Sequence, residues 1–420
     1  MFALVDCNNF YVSCERIFHP ELEGKAVVVL SNNDGCVVSR SNEAKAWIPM
    51  GAPAFQFEEV FREKNIEVFS SNYALYGNMS NRVMNTLLSF TPDVEFYSID
   101  ESFLWFPNSD MDFQSKGIEI REKILKHTTI PTCVGFAPTK TLSKAANLIA
   151  KKFIDQTQGV YVIDSEEKRI KALRWLKVED VWGIGRQISK KLKARNILTA
   201  YDFTQLPDSY LRKEFSVVLL RLKKELCGEP CLGFEEEVPR KSLATTRTFE
   251  SNLGEWDEIK ERVSTFSSSC AEKLRKHDLV ANAVMVFLKT NRHRKDQGQY
   301  SNSIVVPLPS PTNSDILLSK YATNGLRQIF KREFLYKKAG VIMLDLQADE
   351  NLQLNLFRPK AYQNEDKQRE LMSVMDRLNR KLGQKKVKLA SQDLRRTWKM
   401  KQEKLSKAYL SNWNELLEVE

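Results

Sequence analysis

The sequence predicts a multidomain α+β protein, and three observations lead to this fold class. A hydrophobic pattern of the β-α-β-β-α-β kind occurs twice along the chain. A basic and mostly helical stretch at 165–235 separates the two copies. The chain has 420 residues, of which 42% are hydrophobic and 28% charged, which is enough material for two to four globular domains.

The first copy is interrupted after its first strand by an insertion at 11–76. Within the insertion we expect strands at 25–30 and 36–38, followed by helix-like patterning up to Phe61. The strands of the unit itself are expected at 2–5, 94–99, 102–106 and 132–137. Helices are expected where Met79, Val83, Leu87 and Phe90 share one face, near 118–125, and over 140–152 behind the capping residue Thr139.

The second copy follows a linker at 234–242. Its strands alternate apolar and polar residues, which predicts one buried and one polar sheet face. The polar face is suited to a duplex backbone, although a merely solvated face is the plainer interpretation. Strands are expected at 243–249, 279–290, 301–308 and 339–346, with helices at 255–276 and 315–332. Beyond this unit, helices are expected at 370–382 and through Trp398, Leu405, Tyr409 and Trp413.

Three carboxylates stand at predicted strand ends and are the first candidate for chemistry. Asp6 closes the first strand, and Asp100 and Glu101 lie between the two strands of a hairpin. Clustered carboxylates repel one another unless a cation neutralises them, and hard oxygen ligands suit Mg²⁺. The plainer interpretation is a turn residue and a polar hairpin tip, and spacing alone favours it.

A glycine pair between two helical patterns is a second candidate site. Gly183 and Gly185 precede a basic helix that contains Arg186 and Lys190. Backbone amides at a helix N-terminus attract phosphate, so this turn suggests a helix-hairpin-helix that holds a DNA backbone without reading bases. An ordinary helix–helix turn explains the pattern equally well.

Net charge, cysteine spacing and the lack of a signal segment indicate which partner, which sites and which location to expect. The net charge of +10 favours a polyanionic partner, either nucleic acid or an acidic protein. Residues 351–420 hold 16 Lys and Arg against 9 Asp and Glu, a surplus of +7. The seven cysteines lack paired Cys-x-x-Cys spacing, which argues against a disulfide framework or zinc site. With no signal segment and no run near the roughly 20 apolar residues of a membrane span, we expect a cytoplasmic protein without membrane association.

Six segments of the chain form a recognisable series: Asp6–Glu15, Leu30–Cys36, Glu43–Ala46, Tyr97–Glu101, Thr139–Lys144 and Asp180–Arg186. In this order they resemble the Y-family translesion DNA polymerases, and the UmuC branch most. The resemblance covers nearly the whole chain. Two departures are that Asn42 stands where many members have Tyr and that residues 47–51 are one residue shorter than usual.

The resemblance implies a right-hand polymerase: a ferredoxin-like βαββαβ palm, small fingers, a helical thumb with a helix-hairpin-helix, and a βαββαβ little finger. It implies error-prone, template-directed DNA synthesis across damage in the SOS response, without proofreading, by a protein associated with the nucleoid when engaged. The implied domains are palm at 1–10 and 77–164, fingers at 11–76, thumb at 165–233, linker at 234–242, little finger at 243–347 and a tail at 348–420.

The resemblance also assigns roles to individual residues. Asp6, Asp100 and Glu101, with the backbone carbonyl of Cys7, match the ligands of two Mg²⁺ ions. Tyr11 matches the steric gate that excludes a 2′-OH; a core aromatic is the alternative. The implied triphosphate contacts are Phe10, Tyr11, Lys45 and Lys151, and the implied DNA-backbone contacts are Gly183, Gly185, Arg186 and Lys190.

A peptide in the tail resembles the sliding-clamp-binding motif of bacterial polymerases. Its exposed apolar residues are costly unless a groove receives them; packing onto their own domain is the alternative. The resemblance further implies primer–template DNA and dNTP as substrates, with a UmuD′-like subunit and RecA as accessory partners. The peptide comprises Gln353, Leu354, Asn355, Leu356 and Phe357.

Two other functions fit parts of the sequence. A non-catalytic, clamp-tethered DNA-binding scaffold needs no carboxylate triad. A nucleotidyl cyclase also uses a βαββαβ domain and two metals, but it needs neither a helix-hairpin-helix nor a clamp peptide.

Overall fold

The computed structural model describes residues 1–107, 110–234, 239–351, 365–383, 386–392 and 400–416. The chain forms two compact units. The first is built from Met1–Glu236 together with Gln402–Glu420, and the second from Glu237–Lys401. In the described residues no helix combines the length and apolar character that a membrane crossing requires.

The first unit contains eight strands and eleven α-helices among its described residues. In chain order they are β1 (Phe2–Cys7), α1 (Phe10–Phe18), β2 (Val27–Leu30), β3 (Val37–Arg40), α2 (Glu58–Glu63), β4 (Glu67–Ser70), α3 (Tyr73–Leu87), β5 (Val94–Phe96), β6 (Glu101–Trp105), α4 (Phe113–Thr128), β7 (Thr132–Ala137), α5 (Lys140–Lys152), α6 (Ile154–Thr157), β8 (Val160–Val162), α7 (Glu166–Trp175), α8 (Arg186–Lys193), α9 (Ala200–Thr204), α10 (Asp208–Glu214) and α11 (Val217–Leu226).

The main sheet confirms the predicted β-α-β-β-α-β unit and its ferredoxin-like order. Its strands lie in the order β5-β6-β1-β7-β8. The central strand β1 pairs antiparallel with both β6 and β7, and all six of its residues are buried. The predicted helical face of α3 is buried at Met79, Val83 and Leu87, against the core beneath the sheet. The edge strand β8, which is only three residues long, was not predicted.

The insertion forms a separate three-stranded sheet in the order β3-β2-β4. Both predicted strands are confirmed, but β4 was missed. The predicted helical pattern up to Phe61 is largely wrong: two 3₁₀ turns, Glu43–Ala46 and Ala54–Gln56, precede the short helix α2. Pro49, Gly51 and Pro53 lie in this stretch and interrupt a continuous helix, because proline lacks the amide that a helix interior needs.

The second unit confirms the second β-α-β-β-α-β pattern. Its four strands form one antiparallel sheet in the order β11-β10-β12-β9, and α12 and α13 contribute to the core on that sheet. Its elements are β9 (Ser242–Leu253), α12 (Trp256–Lys276), β10 (Leu279–Thr290), β11 (Ser301–Thr312), α13 (Asp315–Ile329), β12 (Tyr336–Ala348) and α14 (Glu365–Leu382).

The tail divides between the two units. Helix α14, which was predicted, joins the second unit through Arg275, whose guanidinium pairs with Asp376 at 2.7 Å. The predicted helix through Leu405, Tyr409 and Trp413 is wrong. Leu405 instead forms a parallel bridge to Ser70, and the helical content of this described segment is the single 3₁₀ turn Trp413–Glu415. Trp398 lies outside the described residues.

Candidate active site

The sheet brings the three predicted carboxylates together. Asp6 and Glu101 are directly opposite each other in the β1–β6 ladder, and Asp100 precedes Glu101. The amide of Cys7 donates to the carbonyl of Asp100 at 2.9 Å, which fixes the hairpin end against β1. Three acidic residues therefore lie close together at the end of the central strand β1.

Asp6 occupies the most demanding electrostatic position of the three. Only 8% of the residue is exposed. Burial raises the pKa of Asp6 to about 7, Lys151 opposes that rise, and the charges of Glu101 and Asp100 add to it. The ammonium of Lys151 pairs directly with Asp6. The site thus creates a local need for positive charge, which Lys151 partly meets.

A second lysine, Lys144, holds the carboxylate of Glu101. Its Nζ donates to both carboxylate oxygens, at 3.0 and 3.1 Å. The same ammonium lies 4.4 Å from the ring centroid of Tyr97 and 5.2 Å from that of Trp182, so aromatic faces stabilise it. Lys144 lies in one of the segments that resemble the family, but no role was predicted for it. Its partners Glu101, Tyr97 and Trp182 are distant in the sequence, so no local spacing indicates these contacts.

Ser98 orients the remaining carboxylate. Its hydroxyl donates to Oδ1 of Asp100 at 2.6 Å and accepts from the amides of Asp100 and Glu101 at 3.2 and 3.0 Å. One serine thereby fixes the tip that carries two acidic side chains. This role was not predicted, although Ser98 lies in the segment Tyr97–Glu101.

The donor set fits Mg²⁺ by its chemistry, because it offers carboxylate oxygens around a buried charge. Within the described ranges, however, no three His, Cys, Asp or Glu side chains already stand in a metal-holding arrangement. Lys151 and Lys144 neutralise Asp6 and Glu101 instead. A divalent cation bound here would share or replace these ion pairs.

Beside the carboxylates lies a cavity of about 250 Å³. Its polar wall includes Asp6, Glu101, Lys144 and Lys151, and Trp182 from the glycine turn lines it as well. Trp182 also donates through Nε1 to the hydroxyl of Tyr97 at 3.2 Å. The turn that contains the glycine pair is therefore anchored next to the acidic cluster.

Tyr11 lies on the first turn of α1, two residues after the left-handed Asn9 (φ 47°). Its ring stacks on Tyr76 with centroids 4.4 Å apart and an interplanar angle of 14°, and meets Tyr73 edge-on at 6.1 Å. Burial raises the pKa of Tyr11. The ring is half-buried and supported on two sides, so its position is fixed.

The predicted triphosphate lysines lie in a shared basic environment. Burial lowers the pKa of Lys45, and the charges of Arg40, Lys151 and Lys152 lower it further. Lys45 donates to Oδ1 of Asn42 at 2.6 Å. The charge of Glu43 opposes this lowering of the Lys45 pKa. Arg40 and Lys152 were not predicted to lie near Lys45. Phe10 is buried in the core rather than presented to this region.

The glycine turn combines a glycine of positive φ with a helix N-terminus that no side chain caps. Gly183 has φ 92°, a conformation that side-chain-bearing residues rarely adopt, and Gly185 precedes α8 without a side-chain cap. Both glycines are exposed, as are Arg186 and Lys190. The clamp-like peptide 353–357 lies outside the described residues.

Comparison with known proteins decides the family. Residues 5–147 match the impB/mucB/samB family, residues 240–356 match that family's C-terminal domain, and residues 369–419 match a domain of unknown function (DUF4113). Protein UmuC of Salmonella typhimurium is 42% identical over 423 residues, which cover 100% of both chains. The chain belongs to the UmuC branch of the Y-family DNA polymerases.

More distant relatives agree with this placement. DNA polymerase IV 1 of Bacillus subtilis is 24% identical over 397 residues, or 91% of each chain. A Y-family DNA polymerase chimera superimposes with a TM-score of 0.68 at 22% identity, covering 84% of this chain and 100% of its own, which shows the shared fold. As a member of its family, the protein is a DNA-directed DNA polymerase of translesion synthesis and SOS mutagenesis.

Proposed function

We propose that this protein extends a DNA primer by two-metal-ion phosphoryl transfer, with low fidelity and without proofreading. The 3′ oxygen of the primer forms a bond to the α-phosphorus of a dNTP. The bond from that phosphorus to the bridging oxygen breaks, pyrophosphate leaves, and the proton of the 3′-OH passes to solvent. The single observation that carries the proposal is that the β1–β6 pairing places Asp100 and Glu101 beside Asp6 at the end of the central strand.

The carboxylates of Asp6, Asp100 and Glu101, with the backbone carbonyl of Cys7, would hold two Mg²⁺ ions. When bound, such ions lower the pKa of an attacking hydroxyl and stabilise charge on a leaving phosphate. The hydroxyl of Ser98 restricts the Asp100 carboxylate through its hydrogen bond to Oδ1. The ion pairs of Lys144 with Glu101 and of Lys151 with Asp6 reduce the repulsion between these two carboxylates.

Other residues of the chain would bind and select the nucleotide. Lys45 and Lys151 would contact the triphosphate, together with Arg40 and Lys152, because a bound polyanion would offset the positive charges that surround Lys45. The fixed ring of Tyr11 would exclude a 2′-OH. The contribution of Phe10 would be to hold α1 from its buried position.

The proposed domains and partners are those that membership of the family implies. We assign palm to 1–10 and 77–164, fingers to 11–76, thumb to 165–233 and little finger to 243–347. The exposed amides of Gly183 and Gly185, with Arg186 and Lys190, would grip a DNA backbone. The peptide 353–357 would bind a sliding clamp, and a UmuD′-like subunit and RecA are the proposed accessory partners at the nucleoid in the cytoplasm.

Primer extension with the purified full-length chain tests the proposal. We expect Mg²⁺-dependent addition of dNTPs to a recessed 3′ end, abolished by EDTA and restored by added Mg²⁺. The product should lengthen one nucleotide at a time and persist, because no proofreading activity shortens it. A chain that binds primer–template but adds no nucleotide, alone or with its accessory proteins, would be a DNA-binding scaffold instead.

A further inference from the structure

Within the first unit, the C-terminal segment 402–416 packs along the end of β4 in the small sheet. The amide of Ser70 at the end of β4 donates to the carbonyl of Lys404 at 2.8 Å, and the amide of Lys404 donates back to the Ser70 hydroxyl at 3.0 Å. Tyr409 stacks on Phe18 with centroids 4.5 Å apart and planes within 3°, and it is 4% exposed. The segment is therefore seated by backbone pairing and by a buried aromatic ring.

Ser406, within this segment, reaches a buried carboxyl group. Its hydroxyl donates to Oε1 of Glu15 at 3.1 Å and accepts from Nδ2 of Asn72 at 3.0 Å. Glu15 is 0% exposed, and burial raises its pKa while hydrogen bonds from Tyr76 and Ser406 oppose the rise. A buried acceptor that loses a donor pays a desolvation cost, so Ser406 has energetic weight at this position.

The same carboxyl group supports the ring beneath Tyr11. The hydroxyl of Tyr76 donates to Oε1 of Glu15 at 2.5 Å, and the ring of Tyr76 stacks on that of Tyr11. Asn72, which orients Ser406, also caps α3, the helix that carries Tyr76. A continuous chain of contacts thus runs from the C-terminal segment through Glu15 and Tyr76 to Tyr11.

We propose that the C-terminal segment 402–416 positions Tyr11 through Ser406, Glu15 and Tyr76, and so sets the discrimination between dNTP and rNTP. This inference rests on the proposed role of Tyr11 as the steric gate. It gives part of the domain of unknown function a defined task in nucleotide selection. Ser406 and Glu15 act as positioning residues, because they touch the support of the gate rather than the nucleotide.

Single-nucleotide insertion opposite template dT, with dATP or ATP and full-length protein, tests the inference. Ser406→Ala should raise the ATP-to-dATP ratio of kcat/KM about fivefold, the factor that one hydrogen bond of ordinary net strength represents. The kcat/KM for dATP itself should change much less, because a deoxyribose has no 2′-OH to meet the ring of Tyr11. Ser406→Thr, which retains the hydroxyl, should restore the wild-type ratio.

Tyr76→Phe provides a second variant, since it keeps the stacked ring and removes the hydrogen bond to Glu15. It should raise the ratio as Ser406→Ala does. Trp413→Ala is the matched control, because Trp413 belongs to the same segment but is 87% exposed and outside the chain of contacts. Its ratio should equal that of the wild type.

The outcomes separate the inference from the gate assignment. A raised ratio in Tyr11→Ala combined with wild-type ratios in Ser406→Ala and Tyr76→Phe would overturn the inference and leave the gate intact. An unchanged ratio in Tyr11→Ala would overturn the gate assignment, and the inference with it. Equal shifts in Ser406→Ala and Trp413→Ala would show a general loosening of the segment and would also overturn it.

Discussion

The ammonium of Lys144 lies 3.0 and 3.1 Å from the two carboxylate oxygens of Glu101, within an aromatic surround of Tyr97 and Trp182. The ammonium of Lys144 thus donates to both oxygens of Glu101, a proposed metal ligand. Lys144 and a divalent ion at the proposed site would compete for the same oxygens, so the lysine would raise the Mg²⁺ concentration that the site requires.

Lys144→Met should therefore lower the Mg²⁺ concentration for half-maximal primer extension, by about fivefold or more for the loss of one charged hydrogen-bonding competitor. Lys144→Arg keeps a cation near Glu101 and should stay close to the wild type. A Mg²⁺ titration of the extension rate measures both. A Lys144→Met variant with an unchanged Mg²⁺ requirement would show that lysine and metal do not share these oxygens.

Tyr11→Ala should admit ribonucleotides, because it removes the ring that Tyr76 and Tyr73 support. We expect the ATP-to-dATP ratio of kcat/KM to rise by about a hundredfold or more. The clash between the Tyr11 ring and a ribose 2′-OH should cost as much free energy as several hydrogen bonds contribute, and the variant removes it. Tyr11→Phe retains the ring and serves as the control. If both variants discriminate as the wild type does, the gate is another side chain.

Gly183→Val should weaken primer–template binding irrespective of sequence. The φ of 92° at Gly183 disfavours a β-branched residue, at a cost of roughly 1–2 kcal/mol for a left-handed conformation. Gly24→Val is a matched control, because Gly24 also has a positive φ (72°) and open space around it but lies outside the glycine turn. Fluorescence anisotropy across a salt titration measures both, and a wild-type affinity insensitive to salt would argue against a backbone grip.

The peptide 353–357 leads to a prediction from sequence alone. Leu356→Ala combined with Phe357→Ala should abolish stimulation by the sliding clamp, because apolar anchors carry most of such an interface. Synthesis on short primers without clamp should be unaffected, since tethering only raises the local polymerase concentration. Retained clamp binding in a pull-down, with retained stimulation on clamp-loaded circular DNA, would contradict the tether.

Much of the fold could be predicted because its signals are local. The uninterrupted apolar run before Asp6 is a fully buried central strand, and the helical face of Met79, Val83 and Leu87 lies in the core. Thr139 caps α5 as expected, accepting from the amide of Leu142 at 3.2 Å. Each of these elements depends on burial or capping chemistry within a few residues.

The features that were not predicted depend on contacts between residues that are far apart in the sequence. Lys144 and Lys151 find Glu101 and Asp6 only because α5 packs beside the sheet, and no spacing rule encodes such an ion pair. The helical spacing of Leu405, Tyr409 and Trp413 was misleading, because their segment gains more from the free edge of β4 and from Phe18 than from an isolated helix.

The carboxylate cluster is the central claim, and single-turnover dNTP incorporation by Asp100→Asn and Glu101→Gln tests it most directly. Both changes keep size and remove charge, so primer–template affinity should stay near that of the wild type. Incorporation should fall about 10²–10³-fold or more, as when a principal source of transition-state charge stabilisation is lost. Glu122→Gln, an exposed carboxylate of α4, should match the wild type. Incorporation by Asp100→Asn and Glu101→Gln at the wild-type rate would contradict the assignment of Asp6, Asp100 and Glu101 as the catalytic centre.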